Sequence, residues 1–317
     1  MKMKNFFVKA AIAAVVLPVA MMSCNNDKEV KDNVELRLTS GVDVRTRAAF
    51  PGTDLQIPAG EQVHVYVDDA VGPVQLYGNN ILTADGSGNL TGGTPMFFPA
   101  NGNNVDIYAL HTNATLVTAY PTTALTHTVN ADQRALTGYA PSDLLYAKQT
   151  NVARTPNPVL LTFYHLLSKI QVAIMPGGDL TAPEITGITI GGTRLQAQFT
   201  LAKATNPNAV AITAAGTASP VTIGADVSAD LAANIKYNDA IIVPQTVAAN
   251  TAFITVSLSG GKNLVYRLPA NTTFESGKKY SYQITAISTA DLIELILITE
   301  IEDWVPGGIS IGEATLE

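Results

Sequence analysis

Short runs of alternating apolar and polar residues recur along this chain, and they constrain its fold more than any other feature. Val63, Val65 and Val67, for example, alternate with polar or aromatic residues, which is the two-residue period of a β-strand with one buried face. Further runs follow at spacings of about ten residues, separated by clusters of Gly, Asn, Asp and Pro, and helical periodicity is scarce. The pattern predicts an all-β protein built of antiparallel sandwiches.

The most informative apolar run covers residues 159–174, VLLTFYHLLSKIQVAI. Lys169 and Gln171 alternate with apolar residues near its end, so we predict one long core strand. His165 lies inside this run, where a packed core histidine is a commoner finding than a metal ligand.

The chain has 317 residues, enough for two domains of ordinary size once a targeting segment is set aside. Residues 151–158, NVARTPNP, contain two prolines and no periodic pattern, as linkers do. We therefore predict an N-terminal β-sandwich at 48–155 and a C-terminal β-sandwich at 156–317.

The first residues have the pattern of a bacterial lipoprotein signal peptide. Lys2 and Lys4 precede an apolar run that is short for a membrane-spanning helix, and the run ends at Cys24, the single cysteine of the chain. We predict a signal peptide at 1–23 and lipidation of Cys24, which would anchor the exported protein to the outer membrane. The alternative is a conventional cleavage site near an incidental cysteine. In either case one cysteine allows no disulfide within the chain.

A short strand is predicted soon after the cysteine. Val34, Leu36 and Leu38 alternate with charged residues, which places the three apolar side chains on one face of a strand. Gly41 is expected to end it.

An exposed basic turn is predicted directly after this strand. Arg45 and Arg47 flank a threonine and precede two alanines, and such a turn is open to a trypsin-like, Arg-specific protease. Residues 24–47 would then be a tether and a removable strand, whose loss leaves a groove for another subunit. The alternative is an ordinary edge strand followed by a solvated loop.

Motifs and charge argue against catalysis, cofactor binding and nucleic acid binding. The net charge is -7 without a basic cluster, whereas nucleic acid requires a stripe of Lys or Arg. No nucleophile elbow or phosphate loop occurs, and the four histidines lack metal-ligand spacing. Asp85, Ser87 and Asn89 alternate like the start of a calcium loop, but Leu90 and Met96 stand where Gly and Glu belong. We therefore expect no catalytic residues, no cofactor and no metal.

Several stretches match one family when they are taken in order. The sequence resembles the fimbrillins of Bacteroidales, the lipoprotein-precursor subunits of type V pili, over essentially its whole length. The matching stretches are the lipoprotein start at Cys24, the strand 34–38 with Arg47 behind it, LTFYHLLSKIQVAI (161–174), IIVPQT (241–246), FESGKKYSYQITA (274–286) and EIEDWVPGG (300–308).

The resemblance implies two tandem transthyretin-like antiparallel β-sandwich domains and assembly by strand exchange. In the family, an Arg-specific protease removes the first strand after export. On this chain the cut would follow Arg47, with Arg45 as a second possible site, and the removed strand would be 34–40.

The resemblance also implies the origin of the replacing strand. The C-terminal strands of a neighbouring subunit fill the vacated groove, so the donor would come from residues 292–317, with Ile309, Ile311 and Leu316 as its apolar side chains. The physical basis is that an open sheet edge presents unpaired N–H and C=O groups, which an added strand satisfies. A contact of this kind does not close, so it propagates into a filament.

The main functional prediction is a structural stalk or tip subunit of a surface fimbria that supports adhesion, with other fimbrillin subunits as its partners. The alternative is a monomeric surface lipoprotein that binds a glycan or a host protein. The two differ at the tail, which a pilin must release and a monomer must pack. A cleavage site and a long tail favour a stalk or tip over an anchor, and the sequence leaves the choice between them open.

Overall fold

The computed structural model describes residues 33–42, 56–72, 74–178, 180–231, 235–289 and 292–303, with the backbone alone after residue 286. These residues belong to one compact unit, Asn33–Glu317, and form mostly strands, so the all-β prediction is confirmed. The first ten strands are β1 (Leu38–Val42), β2 (Gln62–Asp69), β3 (Gln75–Ala84), β4 (Asn89–Thr91), β5 (Val105–His111), β6 (Leu125–Thr128), β7 (Leu145–Val152), β8 (Val159–His165), β9 (Ser168–Gly178) and β10 (Ile185–Ile190). The remaining strands are β11 (Arg194–Phe199), β12 (Ile212–Ala218), β13 (Val221–Ile223), β14 (Tyr237–Ile242), β15 (Gln245–Val247), β16 (Ala252–Leu258), β17 (Asn263–Arg267), β18 (Thr272–Phe274), β19 (Lys278–Thr289) and β20 (Leu292–Asp303).

In the residues that the structure describes, helical structure is limited to short segments. The helix α1 (Leu136–Tyr139) continues into a 3-10 turn at Ala140–Ser142, and two further 3-10 turns lie at Ala182–Glu184 and Pro207–Ala209. None of the helices in the described part of the chain has the length and apolar character needed to cross a bilayer.

The first part of the chain forms a closed barrel with the strand order β1-β4-β3-β2-β5-β7-β8. Its core contains the alternating valines of β2, because Val63, Val65 and Val67 are fully buried. The opposite face of β2 is covered as well. There the Tyr66 hydroxyl donates to the Val117 carbonyl at 3.0 Å, so a loop closes over the outside of the barrel.

The later strands form smaller sheets, two of which pack face to face. Their orders are β14-β9-β19-β20 and β13-β10-β16-β17. The aromatic rings of Phe253 and Tyr266, on the second sheet, lie 5.7 and 5.9 Å from the ring of Tyr282 on the first, as in the core of a sandwich. Two further sheets have the orders β12-β11-β6 and β15-β18.

The prediction of one long strand at 159–174 is wrong. The run forms β8, which belongs to the barrel, and β9, which belongs to a different sheet. The chain turns at Leu166 and Leu167, which are both fully buried. Their carbonyls accept hydrogen bonds from the Ser276 hydroxyl at 2.7 Å and the Gly277 amide at 2.9 Å, so the turn keeps its backbone satisfied inside the core.

The predicted domain limits stay a prediction, as does the transthyretin-like character of the two sandwiches. The strand β8 follows residue 155 in sequence, yet it closes the barrel by pairing with β1 and β7. Conversely, β6 precedes that residue and pairs with β11. A division of the chain into domains therefore has to group β8 with the barrel and β6 with β11, although their order along the chain suggests the opposite.

Candidate functional site

The strand β1 lies between β4 and β8, and its pairing with them is unequal. It is antiparallel to β4 only at Leu38 and Thr39. With β8 it is parallel along its full length, from Leu38 opposite Val159 to Val42 opposite Phe163. One neighbour therefore holds β1 through a long ladder and the other through a short one.

Backbone contacts extend this pairing to the residues that precede β1. The Leu36 amide donates to the Met96 carbonyl at 2.8 Å, and the Phe98 amide donates to the Val34 carbonyl at 3.0 Å. Within β1, the Ser40 amide donates to a carbonyl in the turn before β4 at 2.7 Å. The segment 34–42 thus pairs along its length, first through a bridge between Glu35 and Phe97 and then through β1. We call the space that it fills the β1 groove.

Alternate side chains of this strand point into the barrel. Leu36 and Leu38 are 3% exposed, and Ser40 and Val42 are buried behind them. Burying a Leu or Val side chain stabilises a protein by roughly 1.5–3 kcal/mol. The groove therefore offers two large apolar positions, then a small one, then a β-branched one.

The sequence located this strand but not its end. Val34, Leu36 and Leu38 lie on the segment as predicted, with Val34 half-buried at its start. Gly41 does not end the strand, because it pairs with Thr162 of β8 and has no positive φ. The buried positions continue with a period of two through Ser40 and Val42. Because Ser40 is small and polar, the apolar pattern in the sequence stops at Leu38 and the strand looks shorter than it is.

The exposed edge of the segment is held by Arg37. Its guanidinium donates to the Pro156 carbonyl, and its own carbonyl accepts from the Val159 amide at 2.8 Å. Both partners lie where the chain enters β8, so Arg37 joins the first strand to the wall of the groove.

Most of the other predicted site residues belong to the two ends of the chain and to the segment after β1. The lipidation site, the two cleavage arginines and the apolar residues of the donor tail lie outside the described residues: Cys24, Arg45, Arg47, Ile309, Ile311 and Leu316.

The last described strand, β20, is a long edge strand. It pairs antiparallel with β19 over its whole length, from Asp303 opposite Lys278 to Leu292 opposite Thr289. No second partner strand for β20 occurs among the residues that the structure describes. An edge strand presents free backbone N–H and C=O groups and can separate from its sheet by breaking one ladder.

Three histidines that are scattered in the sequence converge on Ser142 and Asp143. His165 Nδ1 lies 2.8 Å from the Asp143 Oδ2, and His111 Nδ1 lies 2.8 Å from the Asp143 carbonyl. His127 Nε2 lies 2.9 Å from the Ser142 carbonyl, and burial lowers the pKa of His127 to about 4. His165 is buried, as predicted for a core histidine. The cluster fastens the end of β8 to the start of β7, and sequence spacing gave no signal for it.

The segment that resembles a calcium loop is a hairpin turn between β3 and β4. The Asp85 carboxylate accepts hydrogen bonds from the Ser87 amide at 2.7 Å and from the Asn89 side chain at 2.6 Å. These bonds hold the pKa of Asp85 below its ordinary value, with the Asn89 side chain as the main cause. Within the described residues, no group of three or more His, Cys, Asp or Glu side chains could hold a metal ion.

Known structures share this fold. A proposed cell adhesion protein from Bacteroides uniformis is 19% identical, with a TM-score of 0.60, and the match covers 86% of this chain and 98% of that one. A second, from Bacteroides ovatus, is 17% identical, with a TM-score of 0.60 and coverage of 87% and 99%. No protein of curated function matches the sequence. At these identities the likeness establishes a shared β fold.

The sequence itself assigns the family. It matches the model of the fimbrillin-like family over residues 46–304. The chain therefore belongs to the fimbrillin-like family, as the resemblance predicts. This membership places the protein at the cell surface, in assembly with other fimbrial subunits.

Proposed function

We propose that this protein is a structural, non-enzymatic subunit of a surface fimbria, which polymerises when the strand 34–42 leaves its groove and a strand from a neighbouring subunit takes its place. The observation that carries the proposal is the position of β1 in the barrel. It is the first described strand, and its removal would leave β8 without a partner on that side from Val159 to Phe163. The family match supports the proposal because it begins at residue 46, after β1.

An empty β1 groove would be unstable, which supplies the driving force for assembly. The vacated pockets of Leu36, Leu38 and Val42 would expose apolar surface to water. The edges of β8 and β4 would also present unpaired backbone groups. A strand of matching pattern satisfies both demands, and the repeated donation builds an open filament.

The apolar pattern favours β20 as the donor over the extreme tail. Leu295, Leu297, Thr299 and Ile301 have the order large, large, small and β-branched, as do Leu36, Leu38, Ser40 and Val42 in the groove. In the tail, Ile309 and Ile311 fit the first two positions, but Glu313 would fall on the buried position of Ser40. A carboxylate there would lose its hydration without a partner. We therefore propose 295–301 as the donor segment, which lies within the predicted range 292–317.

Maturation follows the order that the sequence predicts. Cys24 carries lipid during export to the outer membrane, and a trypsin-like protease then cuts after Arg47 or Arg45. The cut separates the lipid and the strand 34–42 from the rest of the subunit. The assembled protein is then a stalk or tip subunit that supports adhesion.

The cleavage step is tested with the double variant Arg45→Ala and Arg47→Ala. We expect a folded monomer that no longer enters filaments, measured by electron microscopy of the cell surface and by gels of unheated samples. Arg134→Ala is the matched control, because this arginine is exposed and its ion pair is with Asp132, two residues away. Normal filaments from the double variant would contradict the cleavage model. A stable wild-type monomer that keeps both arginines uncut would instead support a monomeric binding protein.

A further inference from the structure

A lysine and an aspartate form a fully buried pair between two neighbouring strands. The Lys169 ammonium on β9 lies 2.8 Å from Oδ2 of Asp239 on β14, and both side chains are 0% exposed. In the ladder of these strands, Lys169 is opposite Ile241 and Asp239 is opposite Gln171. The two residues are therefore diagonal neighbours on the same face of the sheet.

The pair is closed off from water. Moving two full charges out of water is costly, and the cost falls if the proton passes from the ammonium to the carboxylate. The residue beside Lys169 on the third strand is Lys279, and Glu302 of β20 is opposite Lys279 in the next ladder. The face is covered by Tyr139, whose ring centre lies 6.0 Å from the Lys169 nitrogen.

The two oxygens of the Asp239 carboxyl group have different neighbours. Gln171 Nε2 donates to Oδ1 at 3.0 Å, and the Ser281 hydroxyl donates to the Gln171 carbonyl oxygen at 3.3 Å, which orients the amide. The lysine nitrogen faces the other oxygen, Oδ2. One oxygen is thus held by a hydrogen-bond donor, and the lysine nitrogen lies beside the other, next to the carboxyl carbon that it would attack.

We propose that Lys169 and Asp239 condense to an intramolecular isopeptide bond. A proton passes from the Lys169 ammonium to the Asp239 carboxylate, which gives a neutral amine and a carboxylic acid. The amine then attacks Cγ, and the Gln171 amide stabilises the negative charge that develops on Oδ1. A C–N bond forms, the bond from Cγ to Oδ2 breaks, and Oδ2 leaves as water with two protons. One amine and one carboxylic acid thus give one amide and one water. The reaction needs no oxidant and no further reactant.

The bond would fasten β9 to β14 covalently in the sheet that also contains β19 and β20. A chain with a single cysteine cannot form a disulfide within itself, so an amide is the covalent link open to it. Because the bond lies in the sheet from which β20 is proposed to depart, it would keep β9 and β14 together while β20 moves. This use rests on the proposed function, whereas the formation of the bond does not.

The test is a tryptic peptide map of the full-length protein after unfolding in guanidinium chloride. Without the bond, trypsin cuts after Lys169, and the map contains separate peptides 155–169, 170–194 and 237–262. With the bond, Lys169 is blocked, and the map contains one branched peptide that joins 155–194 to 237–262 and is lighter than their sum by one water. Recovery of the three separate peptides as the main products would overturn the proposal.

Variants separate the bond from other causes of a missed cut. Lys169→Met and Asp239→Ala should each abolish the branched peptide, and in Asp239→Ala trypsin should cut after Lys169 again. Lys279→Gln is the matched control, since it removes the neighbouring lysine and should keep the branched peptide. If the branched peptide persists in Asp239→Ala, the partner assignment is wrong. The peptide map is independent of filament formation, so its result does not depend on the strand-exchange proposal.

Discussion

The first and last described strands of this protein differ in what their departure would do. The strand β1 closes a barrel and has neighbours on both sides, whereas β20 is an edge strand with one ladder to β19 among the described residues. Removal of β1 opens a groove with buried pockets, and removal of β20 leaves the remaining strands of its sheet paired. Under the proposed strand exchange, the strand that closes the barrel would leave an acceptor site behind, and the edge strand would be the donor.

The strongest test of this contrast is to lock β1 in place. Thr39 and Leu160 are opposite each other in the parallel ladder of β1 and β8. Neighbouring strands lie about 4.8 Å apart, within the range of Cα separations that a disulfide spans. We expect the double variant Thr39→Cys and Leu160→Cys to abolish polymerisation when oxidised and to regain it when reduced, as measured by filament yield. The variant Thr39→Cys alone is the control, and polymerisation of the oxidised double variant would exclude departure of β1.

A smaller but measurable effect is expected from a cavity in the β1 groove. Leu38→Ala removes buried methyl groups from the uncleaved monomer and should lower its free energy of unfolding by about 2–5 kcal/mol. Urea unfolding of the monomer measures this change. Glu35→Ala is the control, because Glu35 is exposed on the same strand. Equal stability of Leu38→Ala and the wild type would show that β1 contributes little to the barrel.

The histidine cluster beside β8 predicts a dependence of stability on pH. Burial lowers the pKa of His127 to about 4 from its ordinary value of 6.5. Between these values the unfolded chain binds a proton that the folded protein does not, so stability is full above 6.5 and decreases as the pH falls toward 4. The contribution is about 3 kcal/mol across this range. Urea unfolding at pH 7 and pH 4.5 measures the free energy of unfolding at each pH. The decrease due to His127 should be present in the wild type and absent in His127→Gln. His64→Gln is the control. An identical pH dependence of stability in the wild type and in His127→Gln would contradict this role of His127.

The smallest effect is expected at the exposed side of β1. Arg37→Ala removes the hydrogen bond from the guanidinium to the Pro156 carbonyl but leaves the backbone ladder intact. Because this contact is exposed to solvent, we expect a loss of less than about 1 kcal/mol in urea unfolding. A loss as large as that of Leu38→Ala would mean that the side-chain contact, and not the buried face, holds β1 in the groove.

Alternation predicted the faces of the strands but not their partners. Leu36 and Leu38 were placed correctly because a half-buried strand repeats its apolar residues every second position. The parallel pairing of β1 with β8 could not be predicted, since a period of two carries no information on which strand lies alongside or in which direction it runs. The residues alone therefore predict a groove, and the structure shows that β4 and β8 are its walls.

Burial on both faces explains the largest error. In β9, Ser168–Ile174 is buried on both faces, so the run from β8 into β9 reads as one continuous strand and hides the turn at Leu166 and Leu167. The same burial hid the pair of Lys169 and Asp239, which the sequence separates widely and only the sheet register brings together. Long-range polar contacts of this kind have no local signal.

The most direct test of strand exchange is a disulfide between subunits. If Leu297 occupies the position of Leu38, then Ile298 of one subunit lies where Thr39 lay, opposite Leu160 of the next. Filaments of the double variant Leu160→Cys and Ile298→Cys should give, after oxidation and boiling in SDS, a ladder of covalent oligomers that reduction collapses to the monomer. Filaments that form normally but yield only monomer on the non-reducing gel would contradict the placement of β20 in the β1 groove.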